Sequence, residues 1–217
     1  MQPQRDEFNP ILAQLLVKGM QQKFSDDLGV ICFSANLNSL LMWSHYADGH
    51  RGFVVEFDPK HSMFSPNDFD HVRYVQERPS VHEGGTPAEF KVLVMAKSKQ
   101  WEDEAEWRLM IPNNRLQPVP EGKQTHYYLP LPEDAVKAVF LGCAMEPELR
   151  RAIVASLRRY RHGDIPLFVM VQAQNAYRLE AKSFDEWEKQ EAASQDLRAD
   201  FEAKCAAYLP RTESSSP

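Results

Sequence analysis

The 217 residues are 43% hydrophobic and 26% charged, the balance of an ordinary soluble globular chain, with enough apolar material for a core of normal size without staples. A net charge of −6 argues against non-specific nucleic-acid binding over the whole surface, while leaving room for a local basic groove. Three widely spaced cysteines, Cys32, Cys143 and Cys205, include no CxxC pair and so exclude a zinc site of that type, and no apolar window approaches the ~18 residues of a membrane span. This cysteine usage, and an N-terminus without signal-peptide character, suit a cytoplasmic protein with no membrane partner.

In chain order, residues 8–24 predict a helix: Ile11, Leu12, Leu15, Leu16 and Met20 recur at helical spacing after an Asn9-Pro10 start. Val30–Ser34 predicts a short strand, with Cys32 as a buried small hydrophobe. Leu37–Tyr46 predicts a helix, broken by Gly49 and Gly52, and Phe53–Phe57 a strand closed by Asp58-Pro59. Val72–Val75 alternates like an edge strand. Residues 76–89, with Pro79, Gly84, Gly85 and Pro87, predict a flexible loop. Phe90–Met95 fits a strand or a short helix, and strands follow at Trp107–Ile111, Tyr127–Leu129 and Val136–Leu141. Cys143, just past the last of these, is expected to be buried and unpaired. Met145–Tyr160 predicts a helix with acidic residues at its start and Arg158, Arg159 and Arg161 at its end, as the helix dipole prefers. Leu167–Val171 predicts a strand with Tyr177–Glu180 as its partner. Phe184–Tyr208 is a polar, helix-prone stretch. Together these give an α+β fold, with a mixed, mostly antiparallel sheet and flanking helices. A single domain is expected over residues 1–190, with a polar helical or disordered tail over 191–217.

Two segments concentrate side chains that carry chemistry. The first is Met42–Phe53, where Trp43, Ser44, His45, Tyr46, His50 and Arg51 crowd between two strand-like runs, the position where folds usually place ligand groups. A histidine and a tyrosine facing a cleft can hold a ribose or stack on a flat ring, and the histidine can serve as acid or base. The same pattern also fits core aromatics and a histidine bonded to the backbone. The second is Trp101–Arg108, in which Glu104 and Glu106 stand two apart. Strand geometry would put both carboxylates on one face, where each raises the other's proton affinity, as general-base work requires. A solvated acidic turn with Arg108 paired to a neighbour is the alternative. The remaining histidines, His61, His71, His82, His126 and His162, show no ligand spacing, so no metal is expected. A single cleft is expected to gather His45, Tyr46, Glu104, Glu106 and Arg108.

These segments resemble a mainly bacterial family catalogued as domain of unknown function 2971. The resemblance rests on Cys32-Phe33-Ser34, on Leu41 to Ala47, on His50-Arg51-Gly52-Phe53 and on Glu56-Phe57-Asp58. Val72-Arg73-Tyr74, Lys97, Trp101 to Arg108 and Val139-Phe140-Leu141-Gly142 complete it, so that it covers roughly residues 28–180. The family's upstream strand and Asn-Asp-Pro-Phe segment are matched only by Phe8-Asn9-Pro10, which implies that a first strand of the relatives is missing here. Glu104-Ala105-Glu106 running into Trp107–Pro112 is also similar to the Glu-x-Glu turn and following strand of ADP-ribosyltransferases, and Phe33-Ser34 to their serine-bearing strand. That second resemblance implies an NAD-using or NAD-cleaving protein, such as a bacterial toxin or defence effector. NAD, a small-molecule nucleotide, would be the substrate, and a protein or nucleic acid the acceptor. It implies Glu106, Glu104 and His45 as catalytic residues, with Ser34, Trp43, Ser44, Tyr46, His50 and Arg108 holding NAD. A non-catalytic module that binds a small ligand or a partner is the competing reading.

Overall fold

The computed structural model describes residues 28–80, 86–159 and 165–208. The helix expected over 8–24, Phe8-Asn9-Pro10 and the last residues of the tail lie outside them. The class is α+β, with mostly antiparallel strand pairs, as the sequence pattern implies. The chain divides into two compact units, one built from 28–42 and 57–136, the other from 43–56 and 137–208.

The first unit holds β1 (Leu28–Ser34), β3 (Phe69–His71), β4 (Arg73–Val75), α2 (Pro87–Val94), β5 (Ala96–Ser98), β6 (Glu106–Pro112), β7 (Gln117–Glu121) and β8 (Gln124–Tyr128). The strand β6 is central. It pairs antiparallel with β1 on one side, from Leu28 opposite Pro112 to Ser34 opposite Glu106, and with β3 on the other. Alternation then separates the faces. Leu109 and Ile111, each 1% exposed, enter a core with Phe64, Phe33, Phe57 and Phe69, whose rings meet mainly edge to face. Glu106 and Arg108 point to the opposite face, beside their cross-strand partners Ser34 and Cys32.

The second unit holds β9 (Val136–Leu141), α3 (Pro147–Arg159), β10 (Leu167–Gln172), β11 (Leu179–Ser183) and α4 (Phe184–Tyr208). With β2 (Phe53–Phe57) they form a four-stranded sheet in the order β11-β10-β9-β2. Leu141, Val169, Met170 and Leu179 are its fully buried side chains, and Phe140 stacks on Phe168 at 5.0 Å. The helix α1 (Leu40–Tyr46) starts where Ser39 Oγ accepts the amide of Met42, a short side-chain cap.

Among the described residues the strands lie in a three-stranded sheet, a four-stranded sheet with one parallel pair, β9 with β10, and two ribbons of two strands. Several finer expectations are corrected. The strand at Tyr127–Leu129 is the second arm of a hairpin whose first arm carries Pro118 and Pro120. Of the loop expected over 76–89, residues 81–85 lie outside the described ones and residues 87–89 are helical, capped by Thr86. Its hydroxyl caps the Glu89 amide while Glu89 caps the Thr86 amide, a reciprocal box that starts α2 at Pro87. Cys32 is exposed rather than buried, because it points to the polar face of β1, and Cys143 is half-buried. Both are free thiols, as expected.

Candidate functional site

The strand β6 begins at Glu106, two residues later than a strand alternation of Glu104 and Glu106 requires. Glu104 ends a 3-10 helix over Lys99–Glu104, Ala105 takes a left-handed conformation at φ 45°, and Glu106 opens the strand. Both carboxylates share a face through this tight reversal, not through the two-residue period of a strand. Ser34 fixes the turn from β1. Its hydroxyl donates to the Glu104 carbonyl at 2.6 Å, and the Ala105 carbonyl accepts the Ala35 amide at 3.0 Å.

Glu104 and Glu106 are buried, at 6% and 4% exposure. Buried charges need partners. Lys97, on β5, donates to Glu104 and, at 2.8 Å, to Oε2 of Glu106. Arg108 grips Glu106 with two donors, Nε to Oε1 at 2.7 Å and Nη2 to Oε2 at 3.2 Å, and reaches the Val94 carbonyl with Nη1. The Glu106 amide donates to the Tyr74 hydroxyl at 2.8 Å. The Trp101 ring lies 5.4 Å from the Lys97 ammonium.

This network reverses the expected electrostatics. Burial pushes the Glu106 carboxyl up, but hydrogen bonds from Arg108, then Lys97 and Cys32, overcome it and hold the group at about 2. An acid so strong is a poor general base at neutral pH, so the expectation of mutually raised proton affinity fails at Glu106. It is instead a fixed anion. Burial pulls the Lys97 ammonium down, and its bonds to Glu104 and Glu106 more than restore it. Partial desolvation pushes the Cys32 thiol up, and the neighbouring Glu106 adds to that.

The structure thus brings together Ser34, Glu104, Glu106 and Arg108. His45, Ser44, Tyr46 and His50 belong to the second unit. Ser44, His45 and Tyr46 are exposed, Tyr46 at 63%, and the His45 and Tyr46 rings sit 6.3 Å apart at a steep angle. His50 stands in a run of left-handed residues with Asp48 and Gly49. Its carbonyl accepts the Ala144 amide, and its ring Nδ1 is buried without a hydrogen-bond partner. Trp43, expected at the surface against NAD, is a core residue at 1% exposure and offers no face to a ligand. The reason is its place on the inward side of α1, where its carbonyl also anchors the Ala47 and His50 amides. Lys97 and Tyr74 went unassigned as site residues. Both lie in the family pattern, but only the parallel pairing of β4 with β5, which sets Tyr74 opposite Lys97, reveals that they face Glu106.

Among the described residues no group of three or more His, Cys, Asp or Glu is arranged to hold a metal ion, and no helix is long and apolar enough to cross a membrane. A family model described as "Protein of unknown function (DUF2971)" matches residues 42–109. The match spans the Trp43–Ala47 element, Lys97 and the Trp101–Arg108 element, and is narrower than the 28–180 of the sequence resemblance. Neither the curated proteins nor the solved structures include a match to this chain.

Proposed function

We propose, on the premise that residues 42–109 carry the DUF2971 match, that the polar face of β1 and β6 is an NAD-cleaving, ADP-ribosyltransferase-like site. In that reaction the bond between the ribose C1′ and the nicotinamide nitrogen breaks. Its electron pair neutralises the pyridinium ring, and the ribosyl carbon becomes an oxocarbenium-like cation that water or an acceptor then attacks. Such a transition state is stabilised by a preorganised anion. The observation that carries the reading is Glu106: a carboxylate held ionised at about 2, buried, and placed in register opposite Ser34. Glu104 would orient the acceptor, a protein or nucleic acid. A bacterial toxin or defence effector is the setting in which such an activity makes sense.

One observation favours the second reading, a non-catalytic module for a small ligand or partner. Lys97 and Arg108 already neutralise Glu104 and Glu106, an arrangement also suited to a structural ion-pair network. Titration of the folded chain with NAD, with nicotinamide release measured by chromatography, separates the two. Binding and release that depend on Glu106 support the enzyme, and neither at high protein concentration supports the module.

A further inference from the structure

Among the described residues, Lys97 is the cation that touches both carboxylates. Its place is set by the short parallel ribbon of β4 and β5, in which Lys97 lies opposite Tyr74. Tyr74 takes the Glu106 amide and Lys97 takes the Glu106 carboxylate, so one ribbon holds that residue at both ends. Arg108 sits two residues from Glu106 on the same strand and pairs with Glu106, whereas Lys97 ties Glu106 to Glu104 across the Ala105 turn. The Lys97 side chain is 21% exposed, and its ammonium lies near the Trp101 ring.

We propose that Lys97 is the positioning residue of this site: its ammonium locks the carboxylates of Glu104 and Glu106 into one pose and so fixes the aim of the Glu106 anion. The catalytic consequence rests on the NAD-cleaving reading, whereas the locked pose does not. The groups facing Glu106 are Lys97 from β5, Arg108 from its own strand, Cys32 from β1, Tyr74 from β4 and Glu104 from the preceding turn. Lys97 and Arg108 balance the two carboxylates charge for charge. Loss of Lys97 leaves two carboxylates against one guanidinium, which raises the proton affinity of Glu106 and frees its orientation.

The test is carbon NMR of the full chain labelled at glutamate, with the Glu106 signal assigned by its loss in Glu106→Gln. In Lys97→Met the Glu106 titration midpoint is expected to rise by about 1–2 pH units, the usual effect of an adjacent charge, while Lys97→Arg keeps it near wild type. With activity present, the acid limb of nicotinamide release moves with it and KM for NAD changes little. A Glu106 midpoint unmoved in folded Lys97→Met overturns the proposal. If Lys97→Met does not fold, nitrogen NMR of the lysine side chains in Glu104→Gln replaces it. The Lys97 midpoint is expected to fall there, and an unchanged midpoint overturns the proposal equally. A chain that releases no nicotinamide while the Glu106 midpoint still moves upholds the positioning role and defeats the enzyme reading.

Discussion

Replacing Glu106 with glutamine isolates the contribution of one buried charge. The carboxamide keeps the size and one acceptor oxygen but removes the anion that Lys97 and Arg108 share. The group is held at about 2 against an ordinary 4.5, and at 1.36 kcal/mol per pH unit that gap corresponds to about 3 kcal/mol. Exposure of only 4% leaves little solvent screening to reduce the figure. The sign follows from the depressed folded-state value. The stabilisation is complete above pH 4.5 and is lost as pH falls through about 2. Urea unfolding followed by tryptophan fluorescence, at pH 7 and at steps down to pH 3, is the assay. Glu106→Gln should be less stable than wild type by about 3 kcal/mol at pH 7, with the gap closing in acid. A gap below about 1 kcal/mol at pH 7, or one that stays constant with pH, would refute the electrostatic account.

Other perturbations test the packing around the second cluster and the tail. A Cβ at Gly142 would lie 2.0 Å from the His50 carbonyl oxygen, so Gly142→Ala should lower the melting temperature sharply, and an unchanged melt would show that the 50–52 turn does not grip the end of β9. Trp43→Ala should cost about 3–5 kcal/mol by chemical denaturation, as expected for a fully buried aromatic, whereas a loss under about 1 kcal/mol would return Trp43 to the surface. Truncation after Gln190 keeps the contact of Trp187 with Arg150 and removes a helix segment whose Leu197 is 71% exposed. Calorimetry should show a shift of only a few degrees, and a larger drop would mean that the end of α4 packs on the fold.

Elements were legible where composition and boundary agreed. Phe53–Phe57 and Val136–Leu141 are apolar runs closed by Asp58-Pro59 and Gly142, and both strands keep those limits. Phe184–Tyr208 is a helix over the whole polar stretch that suggested one. The arm Gln117–Glu121 was hidden because Pro118 and Pro120 read against a strand, which tolerates proline only at an edge. The start of α2 was masked by the neighbouring glycines, although Thr86 and Glu89 already stood at capping-box spacing. At the site, the sequence pointed to Glu104, Glu106 and Arg108 as a group. It did not reveal Lys97, which bridges Glu104 and Glu106 and reaches them only through the β4–β5 pairing. Trp43 misled because a tryptophan among polar neighbours looks exposed, while a helix turns each residue by position and α1 buries that one.

The central claim is that Glu106 is a fixed anion that stabilises a ribosyl cation formed from NAD. Nicotinamide release by wild type and by Glu106→Gln, each confirmed folded by its melt before assay, tests it most directly. The account predicts measurable release by wild type and a fall of at least about 100-fold in the variant, matching about 3 kcal/mol of lost transition-state stabilisation. No release by folded wild type at high protein concentration, or equal release by the two, would contradict it.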